Sequence, residues 1–185
     1  MKTFRIILCS ILAAAFATAT APLMASSLPL VMGDKAPVFT GHDQDGVKWK
    51  LKSFIGKEAV LLYFYPKDDT KGCTAEACSL RDRMTDFKQR DVQVIGVSFD
   101  DADSHQRFIF KYNLNFPLLV DTKGKITDLY GVRMDHKAMD RRVSFLIAPD
   151  GRIVHITDSP DPAVHLREMQ AAVSHLEGKT FPSPK

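Results

Sequence analysis

Two cysteines, Cys73 and Cys78, lie five residues apart near the middle of the 185-residue chain. A cysteine thiolate can attack a peroxide oxygen and become a sulfenic acid, and a second thiol can condense with that acid to form a disulfide and water. An external dithiol then reduces the disulfide by exchange. Because this chemistry needs neither a metal nor an organic cofactor, the two side chains predict a cofactor-free thiol redox function.

The first of these cysteines is predicted to lie in the first turn of a helix. Residues 59–65 form a continuous apolar run that Pro66 ends, as expected for a strand buried on both faces. A short polar loop follows, and a helical pattern runs from after Thr70 to about Gln89. The N–H groups of a first turn lack intrahelical partners and the helix dipole is positive there, so both favour a thiolate over a thiol. The same N–H groups can hold a peroxide oxygen as negative charge develops on it.

An intact helix would keep the two sulfurs apart. Five residues correspond to a net rotation of roughly 140° and a rise of about 7.5 Å. A disulfide requires its Cβ atoms to be about 3.5–4.5 Å apart. Pairing therefore requires the first turns to unwind, which favours a disulfide that forms and breaks within a cycle over a structural bridge.

Three further side-chain types could assist this chemistry. The hydroxyl of Thr70 is placed to cap the predicted helix or to reach the sulfur, and Pro66, which cannot extend a sheet ladder, could shield a pocket. A cation would ionise the thiol and polarise the peroxide. Arg141 and Arg142 precede a predicted strand over residues 143–148, and spacing alone does not decide which of them supplies it.

Strand and helix patterns alternate along the rest of the chain, and Pro149-Asp150-Gly151 is a turn signal that joins the last two strands as a hairpin. This order predicts an α/β fold with a mixed central sheet and helices on both faces. A thioredoxin-like three-layer sandwich fits it, and other three-layer α/β folds are also permitted. The predicted strands cover residues 47–51, 92–99, 116–120, 143–148 and 152–157. The further helices cover residues 102–112 and 126–130 and a last segment that starts after Pro162 and ends at Gly178.

The first 25 residues have the pattern of a secretory signal peptide. Lys2 and Arg5 form a basic start, an apolar run covers residues 6–16, and small residues lead to a preferred cleavage point after Ala25. The apolar run is shorter than the roughly 20 residues that a bilayer requires. We predict export, to the periplasm of a bacterium, and one mature domain over residues 26–185; an uncleaved membrane anchor is the alternative.

Removal of this segment changes both the charge and the cysteine count. The formal net charge of +3 falls to about +1 when the two basic residues leave, which gives no reason to expect nucleic acid or an anionic membrane as a partner. Cys9 also leaves, so the mature chain keeps two cysteines. Two cysteines in an oxidising compartment usually form a disulfide, and because one chain contains both, we predict a monomer.

The residues around Cys73 resemble the active-site motif of peroxiredoxins, Pro-x-x-x-Thr-x-x-Cys, present here as Pro66, Thr70 and Cys73. The fuller string over residues 63–78 resembles the bacterioferritin comigratory protein group, also called peroxiredoxin Q. The resemblance extends from about residue 30 to residue 178. It includes the segments at residues 33–37, 115–119 and 142–147.

This resemblance implies a peroxidase that reduces hydrogen peroxide and organic hydroperoxides with a thioredoxin-like dithiol protein as reductant. It implies that Cys73 is the peroxidatic cysteine and that Cys78 resolves it. Arg142 would be the arginine that pairs with the peroxidatic sulfur, and Thr70 and Pro66 would shape the pocket. Glu76 matches a motif position without an assigned role.

The sequence departs from this group in two ways. Lys71 stands where many relatives carry proline, and its charge lies two residues from Cys73, which favours the thiolate further. The predicted export leaves the identity of the reductant open, because cytosolic thioredoxin would not reach an exported enzyme.

Two other functions use related residues. A thiol–disulfide oxidoreductase would require Cys-x-x-Cys, and a copper-carrying thioredoxin-like protein would require two thiolates one turn apart with a histidine nearby. The four residues between Cys73 and Cys78 disfavour both. The histidines show no metal-ligand spacing, and His165 and His175 on the last predicted helix are interpreted as surface or packing residues.

Overall fold

The computed structural model describes residues 29–135 and 137–176. The predicted signal peptide, residues 1–25, lies outside the described residues, as do the segments 177–185 and His136. No helix in the described ranges is long and apolar enough to cross a membrane.

Two sheets are present in the described part of the chain. A small antiparallel pair contains β1 (Thr40–His42) and β2 (Lys48–Lys50). A mixed sheet has the strand order β5-β4-β3-β6-β7, in which β3 runs parallel to β4 and antiparallel to β6. Its strands are β3 (Ala59–Phe64), β4 (Val92–Ser98), β5 (Leu118–Val120), β6 (Val143–Ile147) and β7 (Ile153–Asp158).

Helices cover both faces of the mixed sheet, as predicted. Alternate residues of the central strand β3 divide the core, because successive side chains of a strand point to opposite faces. Leu61 and Tyr63 pack with α1, α2 and α5, whereas Leu62 and Phe64 pack with α4. The helices are α1 (Lys71–Asp82), α2 (Met84–Gln89), α3 (Ala102–Tyr112), α4 (Lys125–Tyr130) and α5 (Pro162–Ser174), and a short 3₁₀ turn covers Leu51–Ser53.

The single helix predicted from Thr70 to Gln89 is wrong, because it is broken at Arg83 into α1 and α2. The apolar spacing continues through the break: Leu80, Met84 and Phe87 are all buried. The apolar pattern therefore gives no sign of the break between the two helices, which lets α2 pack against β4 while α1 packs against α5.

Strand β1, which pairs with β2, is not predicted by the sequence, since Thr40-Gly41-His42 carries no apolar alternation.

Sheet register explains how distant residues meet at one end of β3. The last residue of β3, Phe64, pairs with Val143 at the start of β6, and Val143 pairs with Asp158 at the end of β7. Arg142 therefore lies beside the loop that leads from β3 into α1, and so does the segment that follows Asp158.

Candidate active site

Cys73 is the third residue of α1, and its residue surface is 1% exposed. Thr70 is the N-cap residue, with an extended backbone (φ −83°, ψ 151°). Its hydroxyl makes no capping hydrogen bond and donates instead to the carbonyl oxygen of Lys67 at 3.1 Å. The predicted capping by the Thr70 side chain is therefore wrong. As a consequence, no side-chain cap from Thr70 occupies the first-turn N–H groups of α1.

Arg142 is the cation at the sulfur. Its Nη2 donates to Sγ of Cys73 at 3.3 Å, and its Nη1 donates to Oε2 of Glu76. Arg141 points elsewhere, because it pairs with Asp158 and donates to the carbonyl of Gly131. The structure thus brings Arg142 rather than Arg141 to the thiol.

Close packing holds the guanidinium of Arg142 in place. A Cβ atom at Gly72 would stand 3.2 Å from Nη2, so the glycine gives the arginine room beside the first turn of α1. Only 8% of the Arg142 side chain and 2% of the Glu76 side chain are exposed. Burial raises the pKa of Glu76 to about 7, although the charge of Arg142 and its hydrogen bond act in the opposite direction.

Pro66 lines a cleft of about 390 Å³ on the outer side of Arg142. Met134 and Pro160 give this cleft an apolar wall, and Ser159 adds a polar one. The cleft therefore combines an apolar surface with Arg142, whose guanidinium contacts the Cys73 sulfur, and the role of Pro66 in shielding a peroxide pocket stays a prediction.

Cys78 lies on the same helix as Cys73 and is half-buried, and both are free cysteines. Five helical residues separate them by a rise of about 7.5 Å, which is too far for a disulfide while α1 is intact. Lys71 is the first residue of α1 and is exposed. Its effect on the thiol stays a prediction.

A buried polar network braces the loop between β3 and α1. Asp68 accepts hydrogen bonds from the Tyr65 hydroxyl at 2.7 Å and the Ser104 hydroxyl at 2.8 Å, and its Oδ2 lies 2.9 Å from Nδ1 of His105. The backbone N–H of Asp68 donates to Asp100 at 2.9 Å. Since Ser104 and His105 belong to α3, this network fixes the loop to a second helix.

Sequence patterns did not single out His105, and Glu76 matched a motif position without a role. Nothing in the spacing connects His105 with Asp68, 37 residues earlier, since only the fold brings α3 to the loop. His165 was interpreted as a surface or packing residue; it is buried, but both of its ring nitrogens have polar neighbours. In the described ranges no group of three or more histidine, cysteine or acidic side chains is arranged to hold a metal ion.

Comparison with known proteins identifies the family. Residues 32–156 match the AhpC/TSA family. The chain belongs to this family. It is 43% identical over 136 residues to Peroxiredoxin Bcp of Escherichia coli K12, and the match covers 70% of this chain and 86% of that protein.

Solved peroxiredoxin structures share the fold. Peroxidoxin BcpB from Mycobacterium tuberculosis superposes with a TM-score of 0.74 at 28% identity, covering 80% of this chain and 98% of that one. The bacterioferritin comigratory protein of Xanthomonas campestris, studied for its alkyl peroxide reduction activity, superposes with a TM-score of 0.69 at 26% identity. That match covers 75% of this chain and 92% of the other.

These similarities confirm the resemblance to the bacterioferritin comigratory protein, or peroxiredoxin Q, group and the thioredoxin-like α/β fold. The protein is a peroxiredoxin, a thiol-dependent peroxidase. Family membership thus favours peroxide chemistry over the oxidoreductase and copper-carrier alternatives.

Proposed function

We propose that Cys73 is the peroxidatic cysteine of this enzyme and that Cys78 resolves it within the same chain. One observation carries the assignment: Nη2 of Arg142 donates to Sγ of Cys73 at 3.3 Å, at the N-terminal turn of α1. A buried sulfur beside a guanidinium and a helix N-terminus is stabilised as a thiolate. Cys78 lies further along α1, away from the helix N-terminus, and is the more exposed of the two cysteines.

Each step of the proposed reaction balances. The Cys73 thiolate attacks the terminal oxygen of the peroxide ROOH, the O–O bond breaks, and the products are the sulfenic acid and RO⁻, which takes a proton and leaves as ROH. Arg142 and the first-turn N–H groups stabilise the charge that develops on the leaving oxygen. The thiol of Cys78 then condenses with the sulfenic acid, which releases water and forms the disulfide. A dithiol reductant restores both thiols and becomes a disulfide itself.

Rapid-quench intact mass spectrometry tests this route. The reduced protein, carrying Cys9→Ser so that only Cys73 and Cys78 are thiols, is mixed with one equivalent of hydrogen peroxide. We expect a fast loss of about 2 Da for the disulfide, no fast change in Cys73→Ser, and a gain of about 16 Da in Cys78→Ser, where the sulfenic acid persists. Oxidation at the rate of a free thiol, whichever cysteine is removed, would refute both assignments.

We propose that both hydrogen peroxide and organic hydroperoxides are substrates. The cleft beside Arg142 supports this, because Pro66, Met134 and Pro160 offer an apolar wall to an alkyl group next to the guanidinium. The Xanthomonas campestris relative, studied for alkyl peroxide reduction, is consistent with it.

The reductant is a thioredoxin-like dithiol protein. The enzyme acts as a monomer, because both redox cysteines lie on one helix.

We further propose that residues 1–25 direct export to the periplasm of a bacterium. The basic start, the apolar run and the small residues up to Ala25 support this. In bacterial cells that express the full chain, we expect the periplasmic fraction to contain a protein whose intact mass begins at Ser26. Leu8→Arg, which places a charge in the apolar run, should keep the protein in the cytoplasm. An uncleaved chain in the cytoplasm of cells with the unaltered sequence would contradict export.

A further inference from the structure

A second buried carboxyl group, that of Asp140, lies outside the site described above. None of the surface of Asp140 is exposed, and neither Oδ1 nor Oδ2 has a hydrogen-bond partner among the described residues. A buried carboxylate that accepts no hydrogen bond is costly, because it has lost its hydration without a replacement. Since no step of the proposed reaction uses Asp140, this carboxyl group needs another explanation.

Asp140 belongs to a short hairpin between α4 and β6, whose arms are residues 132–134 and 139–141 and which we call the α4–β6 hairpin. An antiparallel bridge and two backbone hydrogen bonds of 2.8 and 2.9 Å join the two arms. Met134 in the first arm lines the cleft beside Arg142, and Arg142 directly follows the second arm. The position of this hairpin therefore determines one wall of the cleft.

The hydroxyl group that faces Asp140 from α4 has no proton to give to a carboxylate. This is the hydroxyl of Thr127, whose single hydrogen is donated to Oδ2 of Asp121 at 2.9 Å. Asp121 also accepts three backbone N–H groups at the start of α4, as an ionised carboxylate does. The hydroxyl oxygen of Thr127 keeps acceptor lone pairs, so it can accept a hydrogen bond from a protonated Asp140.

The surroundings of Asp140 favour its neutral form. Burial, as the largest cause, raises the pKa of Asp140 to about 8. The negative charges of Asp121 and of Asp128 on α4 raise it further. The Thr127 hydroxyl and the charge of Arg133 act in the opposite direction, but Arg133 is held by Asp128 through hydrogen bonds of 2.6 and 2.8 Å. Asp140 therefore carries a proton at neutral pH.

We propose that Asp140 is a positioning residue whose neutral carboxyl group docks the α4–β6 hairpin on α4 by donating a hydrogen bond to Thr127, and so holds Met134 in the wall of the cleft. When the hairpin opens, the carboxyl group reaches water and releases its proton to the solvent, so opening and ionisation are linked. Docking is therefore firmest in acid and weakens as the pH rises. The effect on the choice of peroxide rests on the proposed function of the cleft, whereas the docking itself does not.

Amide hydrogen exchange measures this linkage at the N–H groups of Met134 and Arg141, which bond across the hairpin. An exposed aspartate has a pKa of about 4, so each opening below pH 8 releases one proton, and the protection factors should fall about tenfold per pH unit from pH 6 to pH 8. In Asp140→Asn, whose neutral amide donates to Thr127 at every pH, the protection factors should not depend on pH. Asp135→Asn, which removes an exposed acid of the same segment, is the control and should keep the slope of the parent. An equal slope in the parent and in Asp140→Asn would overturn the proposal.

Carbon NMR of the parent protein, labelled at the carboxyl carbon of aspartate, provides a measurement that does not depend on how well a variant folds. One aspartate resonance should titrate near pH 8 instead of near pH 4, and it should be missing from the spectrum of Asp140→Asn. Ionisation of every aspartate below pH 6 would overturn the inference.

The rate constant with cumene hydroperoxide, divided by that with hydrogen peroxide, tests the link to the cleft. Both reactions use the same Cys73 thiolate, so the ratio at one pH does not depend on how far the thiol is ionised. The ratio should fall about 10-fold in the parent as the pH rises from 7 to 9 and Met134 leaves the cleft wall, and it should stay constant in Asp140→Asn. A ratio in the parent that does not change with pH would overturn the positioning role. Neither the exchange nor the NMR measurement involves peroxide, so failure of the parent to form a sulfenic acid would refute the proposed function separately.

Discussion

Replacing Arg142 by methionine is expected to slow sulfenic acid formation about 100- to 1000-fold, which is the usual cost of removing one preorganised donor from a developing oxyanion. Methionine fills much of the same buried volume but cannot donate to the Cys73 sulfur or to the leaving oxygen. The measurement is the second-order rate constant of the reaction with hydrogen peroxide, followed by rapid-quench mass spectrometry. Arg141→Met is the matched control, because Arg141 pairs with Asp158 instead of with the sulfur, and it should stay within about twofold of the parent.

Loss of Arg142 also removes the cation that lowers the pKa of Glu76, so the buried carboxyl should take up a proton at neutral pH and lose its hydrogen-bond donor, which destabilises the fold. The double substitution Arg142→Met with Glu76→Gln removes that ionisable group. It should recover most of the stability in urea unfolding, while the reaction with peroxide stays slow. Equal rates for the Arg141 and Arg142 variants, or full recovery of the rate in the double variant, would show that Arg142 acts through stability alone.

Oxidation of Cys73 and Cys78 to a disulfide is expected to unwind the start of α1. The helical rise of about 7.5 Å between them exceeds the 3.5–4.5 Å that a disulfide allows between Cβ atoms, so the bond and the helix exclude each other. Amide hydrogen exchange of residues 73–82 should therefore be at least about 100-fold faster in the oxidised protein than in the reduced one. The central strand β3, all of whose residues are buried, should keep its protection in both states.

Controls for this experiment are the reduced protein and Cys78→Ser treated with the same peroxide, neither of which can form the disulfide. Both should show slow exchange over residues 73–82. Equal protection of this segment in the oxidised and reduced protein would mean that the two sulfurs pair without unwinding, or do not pair with each other.

The sequence predicted the parts of the fold that depend on local patterns. The apolar run at residues 59–65 became β3, the turn at Pro149-Asp150-Gly151 joins β6 to β7, and the helix predicted over residues 102–112 is α3. These features were predictable because buried strands, turns and helical periodicity can each be recognised from residues that are adjacent in the sequence. The break at Arg83 was not, since the apolar spacing is uninterrupted there.

The candidate site was predictable to the extent that it is one continuous segment. Pro66, Thr70, Cys73 and Cys78 are close in the sequence, so the order of loop, N-cap and one helix that carries both cysteines followed from the pattern. The choice between Arg141 and Arg142 could not come from spacing, because it depends on the register of β6 against β3. The hydrogen bond from the Thr70 hydroxyl to the Lys67 carbonyl oxygen depends on the conformation of the loop, so the sequence could not predict it either.

The interruption of the helix at Arg83 has a consequence for the reduction potential. Met84 and Phe87 on α2 stay buried against the sheet, so the segment that must melt for the disulfide to form ends at Arg83. The free energy of melting α1 is then one component of the equilibrium between dithiol and disulfide. Each change of about 1.4 kcal/mol in the stability of this helix alters the potential by about 30 mV. If Cys73 and Cys78 form the proposed disulfide, substitutions at exposed positions of α1 should therefore alter how readily the enzyme is reduced.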